Sequence, residues 1–393
     1  MTAGKVKPGI YWVGALDWDR RLFDELVATP DGTSYNSYLI KGSEKTALID
    51  TVDPSKEHIL INHLRSLNID AIDYIIANHA EQDHSGTLSK VLSLYPDAKI
   101  VTSSKCAGLL KELLLIDEGQ FIEINDGDSL SLGDKTLEFI FAPWVHWPET
   151  MFTYIKEDGI LFTCDFLGAH IATSDLFVKD QMKVGLSAKR YYAEIMMPFR
   201  TNIKKHLEKL GELRLEIIAP SHGPLYDEPE PIIDAYKDWV ADEVKNEVVI
   251  AYISMHGSTQ KMVDFLEDAL IEKGISVKHF NLSKTDIGEF AMALVDAATL
   301  IMATPTVLAG AHPSAVYAAY LANALRPKLK HVCVIGSYGW GGKTVEQLTG
   351  MMSNLKAEFI DPVYIKGQPK PQDFESLSHL ANEIHNKHSL MSQ

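Results

Sequence analysis

The chain has 393 residues, 46% of them apolar and 23% charged, with a formal net charge of −16. That length exceeds one average core and points to two domains, the composition is that of an ordinary globular protein, and the acidic balance excludes the basic footprint that nucleic acid or an anionic membrane requires. Cys106, Cys164 and Cys333 form no CxxC pair, which excludes a disulfide framework or thiolate metal site and fits a reducing cytoplasm; no leader-like start and no run of about 20 apolar residues points to export or a membrane span.

The first half is rich in short β-type runs: Tyr11–Val13, Ser37–Ile40, Thr46–Ile49, Tyr74–Ala77, Lys99–Thr102, Thr136–Phe141, Thr153–Ile155 and Ile160–Cys164. Turn signals such as Asp31-Gly32 and Asp158-Gly159 punctuate them. Helical patterns fall at Ser55–Leu67, Gly86–Tyr95, Ser104–Leu115 and Ala188–Leu210, and a further helix is expected near Ile232–Lys245. From Glu247 onward strands and helices alternate regularly. Strands are expected at Val248–Ile253, Ser276–Asn281, Thr299–Ala303, His331–Gly336 and Glu358–Tyr364, with helices at Lys261–Lys273, Ile287–Asp296, Ala315–Ala324 and Thr344–Lys356 between them. The pattern predicts a mixed α/β sandwich over residues 1–245 and a five-stranded doubly wound parallel sheet over residues 246–393.

Four metal-capable side chains, His79, Glu81, Asp83 and His84, crowd into the run HAEQDH behind the apolar stretch Ile72–Ala77. Loops leaving the C-terminal ends of strands are where α/β folds keep chemistry, and two metals are the simplest explanation of such crowding. His146 in PWVHWPE, Asp165 at the end of Ile160–Cys164 and His222 in APSHGP each follow a strand-like run as well. Loops at one end of a sandwich converge on one pocket, and Asp165, in the middle of the set, suits a bridging role. Cys164 is expected to be a plain buried strand residue, and His58, His63 and His206 to be surface residues.

The order HxExDH…H…D…H resembles the metallo-β-lactamase superfamily, whose hydrolases usually read HxHxDH and bind zinc. Glu81 stands where those enzymes have a second histidine. A carboxylate there adds charge and a harder oxygen donor, which shifts the expected metal from zinc towards iron or manganese. That exchange resembles the flavodiiron proteins. The resemblance implies a non-haem di-iron site, with one iron taken by His79, Glu81 and His146, the other by Asp83 and His222, Asp165 bridging them, and His84 as a further ligand. It also implies that Trp147, Trp18 and Tyr192 line the pocket and that His170 orients a carboxylate.

After the strand Val248–Ile253 come Ser254, Met255, His256, Gly257, Ser258 and Thr259, directly before a helix. Hydroxyls, a glycine and a helix N-terminus together offer donors to one phosphate. The run resembles the flavodoxin phosphate loop, with His256 in place of the usual threonine. Thr304, Pro305, Thr306 and Val307 follow the third strand, and Ser337, Tyr338, Gly339, Trp340, Gly341 and Gly342 follow the fourth, where flavodoxins contact the isoalloxazine ring. There is no GxGxxG run, and no basic cluster sits at the phosphate loop, so FMN is expected rather than a dinucleotide.

The resemblance spans residues 5–390 and implies the minimal two-domain form, without an appended rubredoxin. It implies a cytoplasmic reductase of O2, of NO, or of both, supplied with electrons by rubredoxin, F420H2 or an NADH-linked reductase, and assembled as a head-to-tail homodimer or a dimer of dimers. The competing expectation is a zinc hydrolase with a regulatory flavodoxin unit, and Glu81 separates the two.

Overall fold

The computed structural model describes residues 3–391. Contacts divide the chain into two units: one runs to Tyr192 and resumes at Phe199–Val240, and the other comprises Ala193–Pro198 with the chain from Ala241 on. The expected division at 245/246 falls one residue inside the strand Lys245–Tyr252, which belongs to the second unit.

The first unit is a sandwich of two sheets. A seven-stranded sheet runs in the order Gly4–Lys7, Ile10–Trp12, Tyr38–Lys41, Thr46–Ile49, Tyr74–Ile76, Lys99–Ser103, Phe121–Ile124. A five-stranded sheet runs Ser129–Ser131, Thr136–Phe141, Met151–Ile155, Ile160–Cys164, Ile217–Pro220. Ile40, Ile49, Ile76 and Val101 of the first sheet share one buried core with Phe139, Ile155, Phe162 and Ala219 of the second. Helices such as Glu57–Ser66, Ser104–Leu114 and Arg200–Leu210 flank the sheets. Strand Ile160–Cys164 is buried at every position, which is why it reads as an unbroken apolar run rather than an alternating one.

One expected element is corrected. Ala188–Leu210 is not a single helix: α-helix Gln181–Tyr191 passes through a π-helical turn, Tyr192–Met196, and a 3-10 turn, Met197–Phe199, before α-helix Arg200–Leu210 begins. Pro198 has no N–H to donate and its ring crowds the preceding turn, so an uninterrupted α-helix is ruled out there. The short pairings Ala15–Asp17 with Thr33–Tyr35 and Leu22–Phe23 with Val27–Ala28 were not expected from the sequence.

The second unit is a parallel sheet in the order Ser276–Asn281, Lys245–Tyr252, Ala297–Val307, His331–Tyr338, with Glu358–Phe359 and Val363–Lys366 sharing the far edge position. The expected last strand at Glu358–Tyr364 is therefore two segments. Helix Ser258–Ile271 buries Met262, Val263, Leu266 and Leu270 on one face of the sheet beside Leu377, Leu380 and Ile384. The latter belong to helix Pro371–Met391, which the sequence reading passed over. Ala315, Ala318, Ala319 and Ala322 of helix Pro313–Leu325 cover the other face. The strand order reverses between the first and third strands, and there the C-terminal strand ends open the crevice in which doubly wound sheets bind ligands.

Candidate metal centre and flavin loops

Each expected ligand of the first unit leaves the C-terminal end of a strand or the turn just beyond it. His79 follows Tyr74–Ile76, and Asp83 and His84 lie on the one-turn helix Gln82–Ser85. His146 stands in the loop between Thr136–Phe141 and Met151–Ile155; Asp165 directly follows Ile160–Cys164, and His222 follows Ile217–Pro220. His79 and Asp165 are fully buried, and His84 and His222 are 1% exposed.

Two donor groups result. In the first, His79 Nε2 and His146 Nε2 each lie 3.1 Å from Glu81 Oε2, and 3.5 and 3.6 Å from Asp165 Oδ2. In the second, His84 Nε2 lies 3.2 Å from Asp83 Oδ1 and 3.1 Å from Asp165 Oδ1, while His222 Nε2 lies 3.2 Å from Asp83 Oδ2 and 3.2 Å from Asp165 Oδ1. Asp165 thus turns one oxygen to each group. Two ligands about 2.1 Å from a common ion and at right angles to each other lie about 3.0 Å apart, so these spacings suit donors arranged around cations. The residues fit two metal ions on a further ground. Both oxygens of Asp83, Nε2 of His84 and Oδ1 of Asp165 are buried without a hydrogen bond, so their lone pairs converge on shared points rather than on one another.

The electrostatics ask for positive charge. Burial alone would lower the basicity of His79 and His222, yet the carboxylates beside them win, lifting His79 well above its ordinary value and His222 to about 10. Burial would raise Asp165, but the His84, His222 and His79 imidazoles hold it well below the carboxylate range. Asp24 is pushed up to about 6, first by burial and then by Glu81 and Asp83. Cys164 Sγ lies 4.0 Å from Asp165 Oδ2, and burial and that carboxylate keep its thiol protonated, as a plain strand residue should be.

The surroundings hold the donors in place. Thr51 donates from its N–H and its hydroxyl to the His84 carbonyl, at 2.6 and 2.7 Å. His222 Nδ1 donates to Ser34 O at 2.6 Å, and Asn36 Nδ2 donates to Pro220 O and Gly223 O on either side of that histidine. His79 Nδ1 lies 2.7 Å from Glu149 Oε1, a residue the sequence reading did not single out although it stands in the same PWVHWPE run. An opening of about 450 Å³ reaches the centre between Arg20, Asp24, Asp53, Glu81, Asp83 and Trp147.

Several neighbours differ from expectation. Trp147 does face the centre, with its ring 4.9 Å from that of His79. Trp18 is 49% exposed and takes no part in the opening. Tyr192 packs against Tyr236 and Trp239 and donates to Trp239 O, whereas its neighbour Tyr191 packs its ring 4.9 Å from that of His170 and 5.9 Å from that of His222, and burial together with the Asp165 carboxylate raises its phenol. Consecutive helical residues point about 100° apart, so Tyr191 faces the centre and Tyr192, the position that the resemblance implied, does not. His170 orients no carboxylate: its Nδ1 meets Thr33 Oγ1 at 2.8 Å and its ring packs 4.7 Å from that of His222. His63 and His206 are buried rather than on the surface, on Val13 O and Pro143 O, while His58 is exposed.

In the second unit, helix Ser258–Ile271 starts from Gly257, at φ 84°, which has no side chain to cap the first N–H groups; of these, Gln260 N–H is taken by Ser254 Oγ at 3.2 Å. Thr259 Oγ1 is buried beneath the loop without a hydrogen bond, and Ser258 Oγ meets Ser337 Oγ at 2.7 Å. The N–H groups of the first two helical residues, beside an unpartnered buried hydroxyl, fit a phosphate. Ser254 Oγ accepts from Gln260 N, and Met255 and His256 are exposed. Thr304 Oγ1 donates to Pro305 O, and Thr306 Oγ1 bonds with Thr344 Oγ1 and the Tyr364 hydroxyl, each at 2.8 Å. Tyr338 stacks on Tyr364, centroids 5.9 Å apart, so one of its faces is taken, while Trp340 stands 68% exposed. A Cβ at Gly342 would fall 2.8 Å from Thr306 Cγ2, and Val307, Gly339 and Gly341 complete the two loops.

The fold and the donor set define a class: a β-lactamase-like sandwich with places for two cations, joined in one chain to a flavodoxin-type sheet. Residues 33–223 match the family described as ODP family beta lactamase, and residues 250–380 match flavodoxin. Among relatives, the nitric oxide reductase of Moorella thermoacetica is 37% identical, over 96% of this chain and 97% of its own. The coenzyme F420H2 oxidase of Methanothermobacter marburgensis is 34% identical, over 91% and 90%. Among solved structures, the rubredoxin oxygen:oxidoreductase of Desulfovibrio gigas superposes with a TM-score of 0.94 at 30% identity, covering 99% of each chain. The flavodiiron protein of Giardia intestinalis gives 0.91 at 27% identity, covering 100% of this chain and 98% of that one. The chain belongs to the flavodiiron protein family.

Proposed function

We propose that this chain is an oxygen and/or nitric-oxide reductase that works with FMN and two non-haem irons. The observation that carries the reading is Asp165, which gives one oxygen to a group containing Glu81 and the other to a group containing Asp83. His79, Glu81 and His146 would hold one iron, Asp83, His84 and His222 the other, with Asp165 shared between them. When bound, two ferrous irons and reduced FMN supply two electrons each, the four that carry O2 with four protons to two waters; two NO need only two electrons and two protons to give N2O and water.

The chain's own residues account for the rest. The Glu81 and Asp83 carboxylates supply hard oxygen donors that a zinc hydrolase of this fold would replace in part by imidazole. Relatives named as oxidoreductases favour the reductase over that hydrolase. Thr259, Ser258 and the first N–H groups of helix Ser258–Ile271 take the FMN phosphate, with Ser254, Met255, His256 and Gly257 forming the turn around it. Thr304–Val307 and Ser337–Gly342 border the ring. We assign residues 1–245 to the iron-binding domain and 246–393 to the FMN-binding domain.

The donor is rubredoxin, F420H2 or an NADH-linked reductase, in keeping with relatives named flavorubredoxin and F420H2 oxidase. Two copies pair head to tail, as a dimer or a dimer of dimers, so that the FMN of one serves the irons of the other. The protein works in the cytoplasm, a setting that suits three free, buried cysteines. Among the described residues no helix is long and apolar enough to cross a membrane.

The test is gas uptake by the anaerobically photoreduced holoprotein, with catalase added after oxygen and with a parallel NO electrode. Rapid oxygen uptake with none returned by catalase, or rapid NO loss matched by N2O, supports the reading. Slow oxygen uptake with oxygen returned and no NO consumption means free-flavin autoxidation and overturns it.

A further inference from the structure

We infer that Glu149 is a positioning residue for one half of the metal centre: its carboxylate holds the His79 ring in the tautomer and setting that present Nε2 to the cation shared with Glu81, His146 and Asp165. The inference rests on the two donor groups assigned above and concerns what sets them apart.

His79 Nδ1 lies 2.7 Å from Glu149 Oε1, and neither side chain has any exposed surface. An ionised carboxylate has no hydrogen to give, so Nδ1 must carry the proton and Nε2 is left with its lone pair towards the donor group. The backbone fixes the same oxygen from a second side, since Ala80 N–H donates to Oε1 at 3.2 Å. Glu149 is itself held by its main chain, whose carbonyl accepts from Ser103 Oγ at 3.3 Å. Its other oxygen, Oε2, is buried without a hydrogen bond. A buried carboxylate with one oxygen unsatisfied is costly, and that cost marks a side chain kept for what its other oxygen does.

The second half of the centre is built differently. His222 Nδ1 donates to a neutral backbone carbonyl, Ser34 O, at 2.6 Å, and His84 Nδ1 has no hydrogen bond at all. Among the described residues of the two groups, only His79 is shown with a buried carboxylate hydrogen-bonded to the far nitrogen of its ring. A carboxylate on the far nitrogen makes an imidazole a stronger donor and fixes its ring plane, and loss of such a partner typically weakens metal binding about 10- to 100-fold. The two cation positions, alike in their nearest donors, differ in how firmly they are held.

The experiment uses the FMN-loaded protein reconstituted with 57Fe. In wild type and Glu149→Gln, iron affinity is measured by competition with a chromogenic chelator, and the two iron environments by Mössbauer spectroscopy. The amide still accepts from Nδ1–H but brings no charge, and it places a new donor at the unsatisfied Oε2 position. We expect one of the two irons to lose about 10- to 100-fold in affinity, with one quadrupole doublet changed, the other iron and its doublet unaltered, and FMN retained. Equal weakening of both irons, or no weakening of either, overturns the inference. Should Glu149→Gln fail to fold, Glu149→Asp keeps the charge but withdraws it by one methylene. Selective weakening of one iron supports the inference, and an equal effect or none overturns it. A wild-type chain that binds no iron overturns the donor groups and this inference together, whereas two tightly held irons indifferent to Glu149→Gln overturn the inference alone.

Discussion

His84 Nε2 lies 3.1 Å from Asp165 Oδ1, so the His84 ring is turned into the centre rather than away from it. Its place in the second group predicts that His84→Ala leaves Asp83, His222 and Asp165 one donor short. Iron content should fall from about two per chain towards one, with FMN unchanged, as metal loss follows ligand loss. Colorimetric iron analysis beside flavin absorbance checks this. Undiminished iron would mean that His84 contributes nothing to binding.

Removing Asp165 should do more, because both groups share it. Asp165→Ala is expected to lose both irons and gas reduction while FMN still binds, since the flavin loops lie in the other unit. Retained oxygen or NO reduction in this variant would count against the bridging assignment.

Gly257 provides the converse test. It sits at φ 84°, with no atom within 4 Å of where a Cβ would project. Gly257→Asp therefore meets backbone strain of about 1–2 kcal/mol and sets a negative charge beside the phosphate position. FMN should be lost and iron kept. Titration of the apoprotein with FMN, followed by quenching of flavin fluorescence, reads this directly, and wild-type affinity would exclude the loop as the phosphate site.

Asn36 ties the His222 loop to the sandwich. It is 1% exposed, donates to Pro220 O and Gly223 O at 2.7 and 2.8 Å, and accepts from Trp12 Nε1 at 2.8 Å. Asn36→Ala leaves these buried partners unsatisfied and should cost about 3 kcal/mol in urea unfolding, with a parallel loss of metal affinity. A change below about 1 kcal/mol would show that the loop holds itself.

The flavodoxin-type unit should be acid-sensitive. His388 is buried between Thr299 Oγ1 and Asn246 Oδ1, each at 2.8 Å, and burial together with nearby His331 pushes its pKa down to about 4. A histidine depressed on folding takes up its proton more readily when unfolded. Stability is therefore full above about 6.5 and falls as pH drops from there towards about 4, by at most about 3 kcal/mol. Urea midpoints across that range, compared with His388→Asn, should show the wild-type slope flattened in the variant. Equal slopes would place the acid sensitivity elsewhere.

The donor set was legible in the sequence wherever ligand and scaffold are local. HAEQDH follows an apolar strand, and Asp165 and His222 close two others, because a strand that ends at the rim of a sheet delivers its next residue to the pocket. The regular alternation after Glu247 made the doubly wound sheet equally plain, since hydrophobic period and turn signals are short-range properties. The break at Pro198 was also written there, and the helical period obscured it.

What needed the tertiary structure were relations between distant residues and the phase of irregular elements. Glu149 meets His79 across 70 positions, and no local pattern marks one glutamate among many as the partner of that ring. The π-helical turn at Tyr192–Met196 adjoins the point where Tyr191, rather than Tyr192, comes to face Asp165. His63 and His206 are buried rather than exposed as expected, because the burial of a histidine depends on what packs over it. Local propensity and strand ends determined which residues could be ligands; the packing of two sheets decided how Asp165 divides its oxygens between two groups, because only the closed sandwich brings four separate loops together around the two donor groups.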